Sequence, residues 1–237
     1  MLLNFEERLS ESPLVERIWR TQTEQAGAFT SVALSHWQMC VWTENGKTHL
    51  TMRGPETQAT RVHCPANAEF LGIVFKLGTV MPRLPASQLV DADLTLPDAS
   101  SKAFWLKGAA LEYPNFDNAD TFINYLVRDG LLVREPSIQA ALKAHAQPIS
   151  LRSIQRRFSQ IIGLTHGTVS QIERARYATL LLQQGVSILD TVDQAGYSDQ
   201  PHLTRALRRF IGQTPAQIIG RNEPEQLSFL FKTAPAR

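Results

Sequence analysis

The sequence predicts an α+β protein in which a β-rich N-terminal domain precedes an all-α C-terminal one. Three features predict it. Short runs of β-branched and aromatic residues at period two, separated by turn residues, fill residues 14–77. From residue 137 onward, apolar residues recur at three- and four-residue spacing with capping residues between the runs. Charge divides at the same place: residues 1–133 hold 11 Lys/Arg against 15 Asp/Glu, and residues 134–221 hold 11 against 5. A basic module beside a mildly acidic one fits a protein that engages phosphates through one part only. Three segments are therefore expected: a β-rich domain at residues 1–133, a helical domain at 134–221, and a C-terminal tail at 222–237.

The 237 residues, 43% of them hydrophobic, suffice for two modest domains without staples. Two cysteines, Cys40 and Cys64, are too few for a disulfide scaffold and fit a reducing compartment, although one bridge stays open. No apolar run approaches the roughly 18 residues of a membrane span. The first twenty residues carry Glu6, Glu7, Arg8, Glu11, Glu16 and Arg17 and no apolar core of a leader. An unprocessed cytoplasmic protein is expected.

Strands are expected over residues 14–20 and 28–43. The clearest hairpin follows, with residues 38–43 and 48–53 flanking Asn45-Gly46, a type I′ signal. Further strands fall at residues 59–63 and 69–77, with Gly54-Pro55 and Cys64-Pro65 as breakers. Strands at this spacing suggest a small antiparallel barrel or sandwich. Residues 104–111 turn helical, as do residues 118–129, with Phe122, Ile123, Leu126 and Val127 on one face and Gly130 as the stop. The domain junction is placed at residues 130–136.

Helices are expected next at residues 137–146 and 150–162, the second burying Ile154, Phe158 and Ile161 and displaying Arg152, Gln155, Arg156 and Arg157. A rod at residues 168–184, roughly 25 Å long at 1.5 Å per residue, then separates this unit from another. In that second unit Ser187 caps a short helix carrying Ile188, Val192 and Ala195 on one face. Gly196 supplies the positive φ at its end, Tyr197 plugs the turn and Ser198 caps the next helix, with Pro201 in its first turn. Leu203, Leu207 and Phe210 form the buried stripe, leaving Gln200, His202, Thr204, Arg205, Arg208 and Arg209 on the other faces. Amides, hydroxyls and guanidiniums so displayed have the chemistry that reads base edges in the major groove. A solvated helix of an ordinary bundle is the other reading of this composition.

The run from Ala195-Gly196-Tyr197 and Ser198-Asp199 through Leu203, Arg205 and Phe210-Ile211-Gly212 to Thr214-Pro215 resembles the second helix-turn-helix of the AraC/XylS family of bacterial transcription regulators. Residues 149–165 resemble the reading helix of that family's first unit, although ALKAHAQPIS before it lacks the family's glycine and puts Pro148 near the turn. Arg174 and Ala178 match the pattern of the helix linking the two units, and His166-Gly167 stands where the family usually has proline. The resemblance implies a cupin-like barrel in the N-terminal domain and two DNA-reading units joined by a linker helix. By position it carries base contact to Arg152, Gln155 and Arg156, and to Gln200, Pro201, His202, Thr204 and Arg205; Arg157, Arg208 and Arg209 suit phosphate contact. Double-stranded DNA is the implied partner, with a small-molecule effector in the N-terminal domain, RNA polymerase and a second copy of the chain as further partners. In such regulators helices after the barrel make the dimer contact; closing one end of the barrel is their other use here.

No cofactor, metal or enzymatic activity is expected. His36, His49, His63 and Cys64 lack the H-x-H pair of metal-binding cupin barrels, and no phosphate loop or nucleophile elbow occurs. His63-Cys64-Pro65 differs from the proline-cysteine-histidine-arginine order of repair methyltransferases that carry an AraC-like module. The tail residues Leu227, Phe229, Leu230 and Phe231 are expected to dock on the second unit. Two further readings stay open: a small-molecule-binding or enzymatic barrel tethered to nucleic acid, and an architectural protein that bends DNA with minor-groove wedges.

Overall fold

The computed structural model describes residues 5–135, 151–220 and residue 227, the side chains of residues 151–154 excepted. Its N-terminal part is built on an antiparallel six-stranded sheet in the order β1-β2-β7-β4-β5-β9, formed by Glu6–Arg8, Val15–Thr23, Ala68–Phe75, Gln38–Glu44, Lys47–Arg53 and Asp93–Thr95. A separate ribbon pairs β3 (Gly27–Ser31) with β6 (Thr60–Cys64), and β8 (Thr79–Val80) pairs with β13 (Val133–Arg134). Strand β7 lies inside the sheet, and Leu71 through Phe75 are all buried, a run apolar on both faces. Ile18, Met39, Leu50, Met52, Ile73 and Phe75 form one core with Phe104, Ile123 and Leu126. Trp37 stacks on Phe75 at 4.0 Å and donates its indole N–H to the Thr79 carbonyl at 2.7 Å, so a large apolar body is buried with its polar tip satisfied.

The Asn45-Gly46 hairpin forms as expected: both residues have positive φ, 51° and 75°, and Glu44 pairs with Lys47 across the turn. Residues 104–111 are not helical. They lie in a second hairpin, β11 (Ala103–Leu106) and β12 (Ala109–Glu112), which joins β10 (Asp98–Ser100) in a three-stranded sheet. The turn is Lys107-Gly108, again with both φ values positive, at 51° and 80°. Phe104 and Leu106 are buried and Trp105 is exposed, the period-two alternation of a half-covered strand. Helix α1 (Ala119–Arg128) ends before Gly130 at φ 65°, and buries Ala119, Ile123 and Leu126 while Val127 faces solvent.

The run expected as strand over residues 28–43 is cut by a loop at 32–37 between β3 and β4. Val32 and Ala33 of that loop are buried in the core of the helical part. That part comprises α2 (Leu151–Ile162), α3 (His166–Gln183), α4 (Ile188–Gln194), α5 (Gln200–Phe210) and α6 (Pro215–Ile219). Helix α3 starts two residues before the expected position, because the Thr165 hydroxyl accepts from the Thr168 N–H at 3.1 Å and caps it there. Phe158, Ile162, Ile172, Leu203, Leu207 and Phe210 fill the core around α3. The helix expected at 137–146 lies outside the described residues.

Backbone and side-chain bonds tie the two parts together. Ala33 N–H donates to the Phe210 carbonyl at 2.7 Å and Ala59 N–H to that of Arg209 at 2.8 Å. Arg176 of α3 donates to the Ala33 carbonyl at 3.0 Å, and the Ser35 hydroxyl donates to Glu173 at 2.6 Å. Leu227 bridges in parallel to Thr30 of β3 and packs on the helical core; the rest of the tail lies outside the described residues.

Candidate nucleic-acid interface

The second unit is assembled from local signals that agree with one another. Ser187 caps α4 by accepting from the Asp190 N–H at 3.1 Å. At the other end Tyr197 N–H returns to the Val192 carbonyl (2.8 Å) and Gly196 N–H to that of Asp193 (3.0 Å), with Gly196 at φ 68°. This pair of bonds is a Schellman cap, which needs a residue free of the Cβ penalty at the glycine position. Tyr197 is buried beneath the turn, and burial pushes its phenol up against the opposing influence of Arg174. The Arg174 guanidinium lies 4.5 Å from the Tyr197 ring centroid and donates to the Gly196 carbonyl at 3.2 Å. Thus α3 clamps the turn between the two short helices.

Asp199, not Ser198, caps α5. Its carboxylate accepts from the His202 N–H at 2.6 Å, while the Ser198 hydroxyl, one residue back in the turn, bonds Asp199 at 3.3 Å and the His202 ring at 3.1 Å. Pro201 takes a first-turn position as expected. Leu203, Leu207 and Phe210 are buried, which turns Gln200, Pro201, Arg205, Arg208 and Arg209 to solvent. His202 is half-buried, edge-on to Tyr197 at 5.1 Å. Thr204 is also half-buried and its hydroxyl donates to the Gln200 carbonyl at 2.9 Å, so lone pairs and a methyl group are what it offers outward.

In the first unit Gln155, Arg156 and Arg157 are exposed on α2, opposite buried Phe158 and Ile162, with Ile161 half-buried. The side chains of Arg152 and Ile154 lie outside the described residues. Arg157 pairs with Glu135 at 3.0 Å, so a side chain suited to phosphate already holds a carboxylate from the strand-rich part. Gly163 ends α2 at φ 85°, and a Cβ there would lie 2.6 Å from Val90 and 2.8 Å from Ser87. Between the units α3 runs 18 residues, about 27 Å at 1.5 Å per residue.

Two features carry no sequence signature as sites. A notch of about 180 Å³ between α3 and α5 is lined by Gln171, Arg174, His202, Arg205 and Arg209. The i, i+3 spacing of Gln171 and Arg174 could have marked them as one helix face. In the N-terminal part a cavity of about 570 Å³ is walled by side chains of β2, β4, β5 and β7 and by the β3–β6 ribbon. His63 and Cys64 lie on its wall, and both cysteines are free and buried. The His49 ring lies tilted against Trp42, centroids 4.6 Å apart, and approaches Asp98 at 3.6 Å; Nδ1 of His36 bonds the Ser35 hydroxyl at 3.2 Å. Among the described residues no three or more His, Cys, Asp or Glu side chains are grouped to hold a metal ion. Among those residues, too, no helix is long and apolar enough to cross a membrane.

Residues 144–221 match the family model described as a helix-turn-helix domain, the AraC-type form of that fold. No curated protein and no solved structure matches the chain. The match spans α2 through α6, the helices whose caps, turn and exposed guanidiniums are described above. Residues 144–221, about a third of the chain, therefore form an AraC-type helix-turn-helix domain, which supports DNA binding and transcription regulation.

Proposed function

We propose that the chain reads specific DNA with both of its helical units, placed in successive major grooves on one face of the duplex. The observation that carries this reading is the division of α5: three buried apolar residues anchor it on α3 while three arginines face solvent. Bases are assigned to Arg152, Gln155 and Arg156 in the first unit and to Gln200, Pro201, His202, Thr204 and Arg205 in the second. Phosphates are assigned to Arg157, Arg208 and Arg209. Pro201 offers shape and apolar contact alone, and Arg157 must exchange Glu135 for a phosphate. The α3 rod sets the spacing, since one DNA turn is about 34 Å and the reading helices flank a rod of comparable length.

Residues 1–133 act as a sensing domain, 134–221 as the DNA-binding domain and 222–237 as a tail, in a homodimer of the bacterial cytoplasm that engages RNA polymerase. The cavity in the N-terminal part supports the sensing role, because its volume falls within the range of about 300–1,000 Å³ typical of small-molecule sites. The test is selection of sites from a random duplex library at fixed, near-physiological salt, then titration of the best site against scrambled DNA. Two short blocks about one helical turn apart, bound at least about a thousandfold better than scrambled sequence, are expected. A single enriched block would confine base reading to the second unit, and no enrichment would refute specific reading.

A further inference from the structure

Two segments of the N-terminal part run between the ends of the two reading helices. Residues 54–59 lead from β5 into β6, and residues 86–92 lead into β9, which pairs with β5. Gly54 N–H donates to the Ala92 carbonyl at 3.1 Å, and Asp91 N–H to that of Pro55 at 2.9 Å. The Asp91 carboxylate then grips Thr57 twice, one oxygen accepting from its N–H and the other from its hydroxyl, each at 2.6 Å. A Cβ on Gly54 would overlap the Leu89 carbonyl, so the joint between the segments has no slack.

Each segment holds one reading helix. Gly163, where α2 ends, lies so close to Val90 and Ser87 that a Cβ has no room, and Val90 packs on the helical core. Ala59 bonds the Arg209 carbonyl in the last turn of α5 and sits beside Gly212. Glu56 N–H donates to the Leu34 carbonyl at 2.8 Å, which ties the same segment to the loop whose Ala33 bonds Phe210. Helices α2 and α5 are thus connected twice, through α3 and through this strut. A rod with a turn at each end leaves two helices free to swivel about it. A second connection closes the figure and removes that freedom.

We infer that Thr57 and Asp91 are spacing-determining residues for DNA: their clasp stiffens the strut that fixes α2 relative to α5, and with it the number of base pairs between the two blocks read. Neither residue lies on a reading helix. The inference rests on the reading in which both helical units enter the duplex. One base pair more or less shifts the second block by roughly 3.4 Å and turns it by about 35°. A stiff pair of helices cannot follow such a step without losing hydrogen bonds at one block. Stiffness also spares the ordering cost of binding, so affinity at the right spacing and intolerance of the wrong one come from the same clasp.

The test titrates the full chain with the duplex obtained by selection, its blocks kept at their separation, moved one base pair closer or moved one base pair apart, and with a duplex carrying the block of the second unit alone. The parent should lose at least about tenfold in affinity at either altered spacing. Asp91→Ala should cut that loss to about threefold or less and bind the single-block duplex within about twofold of the parent. Asp91→Asn, whose amide still accepts from the Thr57 N–H and can bond its hydroxyl, should keep the parent profile. A parent that tolerates both altered spacings within about threefold, an Asp91→Ala chain with the parent profile, or one that has lost single-block binding would each overturn the proposal. The two-unit reading fails separately, if the parent binds the single-block duplex as tightly as the two-block one.

Discussion

Gly212 and Gly185 form a matched pair for asking what holds the helical part against the strands. Their φ values are nearly equal, 83° and 87°, so alanine at either position meets the same left-handed backbone cost of about 1–2 kcal/mol. A Cβ on Gly185 would have nothing within 4 Å, whereas one on Gly212 would lie 2.8 Å from Thr30 Cγ2 and 3.2 Å from Ala59 Cβ. Thr30 is buried in the β3–β6 ribbon and paired to Arg61, and the Ala59 amide is bonded to the Arg209 carbonyl, so neither neighbour can swing aside. Wedging a methyl group there adds an overpacking cost of about 1–3 kcal/mol. Gly212→Ala should therefore destabilise by about 2–5 kcal/mol and Gly185→Ala by about 1–2 kcal/mol. Urea unfolding of the full chain measures both, and Thr30→Ala in the Gly212→Ala background should recover most of the difference as a coupling energy. Equal costs for the two glycines, or no coupling to Thr30, would refute the packed junction.

Four other outcomes follow from the same geometry. Arg205→Ala should cost about 1–3 kcal/mol on the selected duplex and relax preference at one base, whereas Arg208→Ala should weaken all DNA alike and reduce the salt slope by about 1; equal losses on selected and scrambled DNA for Arg205→Ala would remove its reading role. Asp199→Ala should cost about 1 kcal/mol of thermal stability and Ser198→Ala clearly less, since only Asp199 accepts from the first-turn amide; the reverse order would place the cap one residue earlier. Gly72→Ala should destabilise and shift tryptophan emission, because a Cβ there would lie 2.0 Å from the Trp19 ring; an unchanged spectrum and midpoint would mean that the ring has room. Burial pushes the Cys40 thiol up to about 11, so its alkylation by iodoacetamide at pH 8 should run about a hundredfold slower in the folded chain than in urea, and that of Cys64, whose thiol burial also raises, should slow as well; comparable rates for Cys40 in the two states would contradict it.

The sequence is most legible where a local signal and a tertiary one coincide. Asn45-Gly46 sets a hairpin by its own backbone preference, and Ser187, Gly196 and Pro201 punctuate α4, the turn and α5 at positions where few other residues fit. Residues 104–111 misled because a four-residue strand spans too few positions to separate period two from period 3.6, and the Lys107-Gly108 turn is a weaker marker than Asn-Gly. Ser198 and Asp199 are both good caps, and only the backbone path decides between them. The loop at 32–37 reads as more strand because Val32 and Ala33 are apolar, yet their burial is set by helices more than a hundred residues away. Long-range pairing also hides the Arg157–Glu135 contact and the meeting of Arg17, Arg53 and Arg176, three arginines from β2, β5 and α3.

Val32 and Ala33 have a consequence for any attempt to exchange this helix-turn-helix domain between proteins. They are contributed by the first part of the chain but complete the apolar interior of the second, and the Ala33 amide and carbonyl are spoken for by Phe210 and Arg176. A chimera cut between the strands and the helices would leave behind a socket without its plug, exposing Leu207 and Phe210 to a foreign surface. A transplant that carries residues 31–36 and 59 along with the helices, or that rebuilds their shape on the new sensor, keeps the interior closed.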